Sequence, residues 1–182
     1  FFLLKVTFLI ELLGALVMMP TFIRDFGAKG IWMSFFHSIS AFCNAGFDIM
    51  GTEGARFASI TSYLGNPVIN VTVMLLIVIG GIGFLTWEDI CTNKLHFKRY
   101  RMQSKVILVT SALLILFPAV FFFFVDFADM PMKERVLGSL FQAVTPRTAG
   151  FNTADLTAMT GAGQAIIIVL MLIGGSPGST AG

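Results

Sequence analysis

Residues 36–47 read Phe-His-Ser-Ile-Ser-Ala-Phe-Cys-Asn-Ala-Gly-Phe, and residues 141–151 read Phe-Gln-Ala-Val-Thr-Pro-Arg-Thr-Ala-Gly-Phe. With a one-residue gap the two align. Both open on Phe and a polar residue, pass through Ser or Thr, and close on Ala-Gly-Phe. Each precedes a longer apolar run that reaches Ile-Gly-Gly, at 79–81 and 173–175. An internal repeat sets architecture ahead of any single motif. The repeated unit is short, apolar and broken by Gly, and it lies between longer apolar stretches.

The composition places those stretches in a membrane. Of the 182 residues 56% are hydrophobic, only 12% are charged and 20 are Phe. Mean hydropathy is +0.86. A soluble domain carries roughly twice this charged fraction, and about 20 apolar residues suffice to cross a bilayer. The net charge of +2 gives no reason to expect nucleic acid as a partner; membrane lipid is the expected surrounding. Cys43 and Cys91 show no metal-ligand spacing and are expected to be free. Lys5 and Glu11 interrupt the first apolar stretch, which argues against a cleavable signal peptide. Both ends look cut, as in a fragment of a longer polytopic protein.

Read along the chain, residues 1–19 form a first span that Pro20 and the loop 21–30 end. Residues 31–42 are apolar but too short to cross, and 48–66 are polar. Asn66-Pro67 opens a second span, with Pro67 where its missing N–H costs nothing. That span runs to about Trp87, taken as an interfacial aromatic. Residues 88–105 carry Lys94, Lys98, Arg99, Arg101 and Lys105 and are expected in the cytoplasm by the positive-inside rule. A third span covers 106–125 and tolerates Pro118. Residues 136–144 are again too short to cross. A fourth span begins at 165–173 and is interrupted at Gly174. The expected fold is an all-α membrane protein of tandem span–re-entrant loop–span units, one at 1–100 and one at 101–182.

Non-helical backbone at membrane depth survives only when buried in protein or lining a wet cavity. Ala-Gly-Phe at the end of a half-length helix is such backbone. Its carbonyls can replace the hydration shell of a cation, and the helix directs its partly negative C-terminus the same way. Gly46 and Gly150 are the residue type needed for unusual backbone angles.

These residues resemble a known family. Ser-Ala-Phe-Cys-Asn-Ala-Gly-Phe (40–47) and Thr-Pro-Arg-Thr-Ala-Gly-Phe-Asn-Thr (145–153) look like the second and third filter segments of the Trk/Ktr/HKT superfamily of potassium transporters, and most of all the membrane subunit of bacterial Ktr systems. Ile-Gly-Gly-Ser-Pro-Gly-Ser-Thr-Ala-Gly (173–182) is similar to the family's gating loop. The resemblance covers nearly the whole chain, as two of the family's four repeats. It implies potassium uptake across the bacterial plasma membrane, with sodium as a possible coupling ion. It also implies a homodimer and cytoplasmic nucleotide-binding regulatory subunits. By the resemblance the filter maps onto Asn44, Ala45, Gly46, Thr148, Ala149 and Gly150, mainly through backbone carbonyls. The gate maps onto Gly174, Gly175, Ser176, Pro177, Gly178, Ser179 and Thr180, extending to Gly182. The residues themselves agree, since three glycines and a proline disfavour continuous helix there. The matching stretch of the first half, Gly80-Gly81-Ile82-Gly83, lacks Ser and Pro and is expected to stay helical, its glycines serving close packing.

Arg147 precedes the second filter segment. A cation so placed needs neutralising, so a filter-supporting role is expected, with a carboxylate partner either in this chain or in one of the family's repeats that it lacks. His37 is expected to make a structural hydrogen bond, and Glu11 an ion pair or an interfacial contact near Lys5. The rival reading from another class is an intramembrane serine protease with Ser176 or Ser179 as nucleophile. It requires a base within hydrogen-bond reach, and His37 is the one membrane-embedded candidate. It also leaves the duplicated Ala-Gly-Phe unexplained. Phosphate binding by the Gly-rich loop fails because no Lys follows the glycines.

Overall fold

A computed structural model of the chain describes residues 2–51, 58–94, 96–154 and 156–181. Part of the polar stretch expected at 48–66, and Gly182 of the expected gate, lie outside the described residues. Seven α-helices follow in order: α1 (Phe2–Phe26), α2 (Lys29–Phe42), α3 (Pro67–Gly81), α4 (Phe84–Asn93), α5 (Met102–Phe124), α6 (Met132–Val144) and α7 (Gly161–Ile173). Among the described residues there is no strand. Helices α1 and α5 are each long and apolar enough to cross a membrane, and α3 with α4 makes a third candidate only as a bent pair. At 14 residues, α2 is about 21 Å long, short of the roughly 30 Å of a bilayer core. Helix α6, at 13 residues, is shorter still.

Local chemistry sets several boundaries. The Asn66 side chain accepts hydrogen bonds from the amides of Val68 (3.0 Å) and Ile69 (3.3 Å), capping α3 with Pro67 in its first turn. The Thr160 hydroxyl accepts from Gly163 N at 3.1 Å to cap α7, and Asp126 in turn accepts from Thr160 N at 2.7 Å. Tyr63 donates to Asp25 at 2.8 Å, joining the outer turn to the end of α1. Burial, and then that carboxylate, push the Tyr63 phenol above its ordinary range, so it stays a donor at neutral pH.

Helices α1 and α2 form a tight hairpin. A Cβ on Gly30 would collide with the Phe22 carbonyl, and one on Gly14 would fall 2.6 Å from the Ser38 hydroxyl. Small residues let the two backbones approach. One apolar core joins the two halves, with Met18, Phe22, Met33 and Phe42 from the first against Phe141, Val144 and Phe151 from the second. The outer surface displays Phe8, Leu75, Phe117 and Leu172, as a lipid-facing surface does.

The structure departs from the sequence-based boundaries in four places. Helix α1 continues through Pro20 to Phe26, leaving a connection of two residues before α2. A proline withdraws one N–H, and the packing of Phe22 against α2 offsets that loss. The stretch Gly80–Gly83 does not stay helical: α3 ends at Gly81, Gly83 has φ +91°, and α4 departs at 99°. Three glycines in four residues weaken the helix, and a distant segment supplies the partners described below. Trp87 is buried, not interfacial; its indole N–H donates to the Ile79 carbonyl at 2.8 Å, back across the bend. The basic segment is shorter than expected, because α4 reaches Asn93 and α5 begins at Met102.

Gly30→Ala in the full-length protein is expected to lower stability by about 2 kcal/mol through overpacking, read as a fall in melting temperature in detergent. An unchanged melting temperature would mean that the hairpin is not close-packed there.

Candidate functional site

The two repeated segments take the same backbone conformation. Asn44 (φ +49°) and Thr148 (+72°) occupy equivalent positions, as do Gly46 (+68°) and Gly150 (+86°), with an alanine between each pair. Left-handed conformations are uncommon for a non-glycine residue and cluster at ligand clamps.

The same hydroxyl clamp holds each segment. Ser40 donates to the Phe47 carbonyl at 2.7 Å, and Thr145, its counterpart, donates to the Phe151 carbonyl at 2.6 Å. The carbonyls of these two residues also accept the amides of Ala45 (2.9 Å) and Ala149 (3.1 Å). Each segment is thus fixed at both ends by one residue, Ser40 in α2 or Thr145 just after α6. With its amide nitrogen facing acceptors, Asn44 donates to the carbonyls of Ala41 (3.2 Å) and Ile77 (3.3 Å). Its side chain anchors the segment to α3 and leaves the backbone to do the facing.

The two segments lie against each other. A Cβ on Gly46 would strike the Ala149 carbonyl oxygen and come within 2.9 Å of Gly150 Cα. Beyond them is an open polar depression lined by Gly46, Asp48, Ser59, Gly150 and Asn152. Asn152 N donates to the Ser59 hydroxyl at 3.0 Å, joining the halves on this side.

Arg147 is half-buried below the second segment. Its guanidinium donates to the Ser111 hydroxyl at 3.1 Å and to the Gly174 carbonyl at 3.3 Å. No carboxylate pairs with it among the described residues. Within this chain its partners are a hydroxyl of α5 and the carbonyl that ends α7. Lys5 and Glu11 likewise form no ion pair among the described residues.

Helix α7 stops at Gly174 (φ +65°), and residues 174–181 are irregular. A Cβ on Gly174 would lie 3.4 Å from the Thr148 methyl, so the loop begins against the second segment. The chain then doubles back, since a Cβ on Gly175 would collide with Ala181. Ser179 donates to the Ser176 carbonyl at 2.6 Å and accepts from Ala181 N at 3.2 Å. His37 bonds neither serine. Its Nδ1 pairs with the Met33 carbonyl at 2.7 Å, and its ring lies among Phe22, Phe36 and Phe151.

Residues 1–182 match the TrkH family, described as cation transport proteins. The chain belongs to that family. Among curated relatives it is 38% identical over 187 residues to the potassium/sodium uptake protein NtpJ of Enterococcus hirae, covering 100% of this chain and 40% of that protein. It is 34% identical over 190 residues to the Ktr system potassium uptake protein B of Bacillus subtilis, covering 98% and 41%. The corresponding Vibrio alginolyticus protein is 32% identical over 180 residues, covering 94% and 38%. The chain spans about two fifths of the length of these relatives. As a TrkH family member it is an all-helical membrane protein, and the protease reading finds no support in its relatives.

The duplicated Ala-Gly-Phe is legible in the residues alone, whereas the hydroxyl clamps emerge only with the structure. Their signal was present: Ser40 and Thr145 are the Ser or Thr shared by the two copies. Arg147→Met removes two donors and leaves Gly174 O and Ser111 without a partner. It is expected to cost about 2 kcal/mol, measured as a lower melting temperature of the full-length protein.

Proposed function

We propose that the full-length protein moves potassium across the cell membrane through a pore in which Asn44, Ala45, Gly46, Thr148, Ala149 and Gly150 supply two parts of a backbone-carbonyl filter. The observation that carries this reading is the matched backbone alternation with its matched hydroxyl clamp, present in both copies. A turn that merely ended a helix would have no reason to repeat both features. The relatives' names, which speak of potassium and of potassium/sodium uptake, support potassium as cargo with sodium as a coupling ion. Residues 1–100 and 101–182 are then successive repeats of a larger pore, and its function is transport, not catalysis. Residues 174–180 form the gate beneath the filter, with Arg147 supporting the filter above. A homodimer with cytoplasmic nucleotide-binding regulatory subunits completes the proposal; the name of a Ktr system supports partners of that kind.

Gly46→Ser and Gly150→Ser each place a side chain at a left-handed position, which displaces the carbonyls. Each is expected to reduce potassium-over-sodium discrimination in uptake assays by roughly tenfold, about 1.4 kcal/mol, with the protein still inserted. Unchanged discrimination in both variants would overturn backbone coordination at these positions. Deleting 176–180 is expected to raise flux in proteoliposomes and to leave selectivity intact. A correctly assembled deletion variant with wild-type flux would make the loop packing and not a gate.

A further inference from the structure

The bend between α3 and α4 is joined to the loop of the second half almost entirely through main chain. The carbonyls of Gly80 and Gly81, freed where α3 ends, accept the amides of Thr180 (3.2 Å) and Ser176 (3.1 Å). Across the bend, Phe84 N donates to the Gly178 carbonyl at 3.0 Å. The Thr180 hydroxyl adds a fourth bond, donating at 2.8 Å to the carbonyl of Phe42, the last residue of α2. The fit is close. A Cβ on Gly80 would collide with the Phe42 carbonyl and lie 2.7 Å from the Thr180 hydroxyl, and one on Gly83 would lie 3.1 Å from the Pro177 carbonyl.

The far end of α4 is fixed as well. Asp89 accepts from the Ser104 hydroxyl at 2.6 Å and from Arg101 N at 2.9 Å, and Glu88 pairs with Arg101 at 3.0 Å. Helix α4 has ten residues, so it is a rigid arm about 15 Å long. One end holds the start of α5 beside the basic segment, and the other holds the loop.

We infer that the Gly80–Gly83 bend is the seat that keeps loop 174–180 in place, and that α4 is the arm through which movement of the basic segment reaches it. This inference rests on the reading of the loop as a gate. A straight α3 would satisfy its own carbonyls and offer the loop nothing. The bend leaves two acceptors and one donor, and the loop supplies two donors and one acceptor in register. Moving α4 carries the Phe84 amide away from Gly178 O and loosens the loop without touching the filter. Of the four bonds, the Thr180 hydroxyl makes the one that a substitution of similar shape can delete alone.

The test is potassium flux in proteoliposomes of the full-length protein, without any partner. Thr180→Val is expected to raise flux about fivefold, the loss of one net hydrogen bond from the closed state, with potassium-over-sodium selectivity unchanged. Gly83→Ala, strained at φ +91°, is expected to raise flux in the intact protein and to add nothing once 176–180 are deleted. Asp89→Ala, which removes the acceptor that holds the far end of α4, is expected to behave as Gly83→Ala does. If the deletion raises flux while Thr180→Val and Gly83→Ala stay at wild-type flux, the seat is overturned and the gate stands. If Gly83→Ala raises flux equally in the deletion background, the bend acts without the loop, and the seat is again overturned. Wild-type flux in Asp89→Ala overturns the arm. A deletion without effect defeats the gate reading itself.

Discussion

Main chain that leaves a helix inside a bilayer must find hydrogen-bond partners within the protein, because lipid offers none. Among the described residues helical structure breaks off after α2, after α6, between α3 and α4, and after α7. At the first two exits the solution is local. One hydroxyl-bearing residue, Ser40 in α2 or Thr145 just after α6, holds each segment with its carbonyl and its side chain. At the last two it is mutual. Neither the bend nor the loop satisfies itself, and each takes up what the other releases.

The different solutions suit different surroundings. The locally clamped segments contribute Gly46 and Gly150 to the lining of the polar depression. The mutual joint buries Ser176 and leaves Pro177 and Gly178 exposed. Arg147 sits between the two regions, sharing its donors between α5 and the end of α7. A charge balanced by a hydroxyl and a carbonyl is held less strongly than one beside a carboxylate, but it commits no second charge to the low-dielectric interior.

Much of this was legible in the residues. Pro67 and Asn66 announced the start of α3, and the length of 106–125 announced α5. The twin Ala-Gly-Phe segments announced equivalent structures, and Gly174–Gly178 announced the break after α7. What stayed hidden depends on tertiary partners. Gly80–Gly83 reads as a helix with small residues for packing, and Gly80 does pack closely. The break there is decided by amides about a hundred residues away, which no local pattern records. Trp87 carries the composition signal of an interface residue, yet the bend folds it inward onto Phe42. Pro20 reads as a terminator, and the close contact with α2 carries the helix past it. Arg147 reads as a demand for a counter-charge, and within this chain a hydroxyl and a carbonyl oxygen take up its donors.

A joint made of main-chain atoms has a further consequence for how the molecule can change over generations. Amides and carbonyls are the same in every residue, so the bend and the loop have no side-chain complementarity to maintain together. Apart from Thr180 and the glycines that permit close approach, each partner is free to drift without a compensating change in the other. Paired substitutions are the trace by which spatial contacts are recognised in aligned sequences. This contact, central to the fold, is of the kind that leaves almost no such trace.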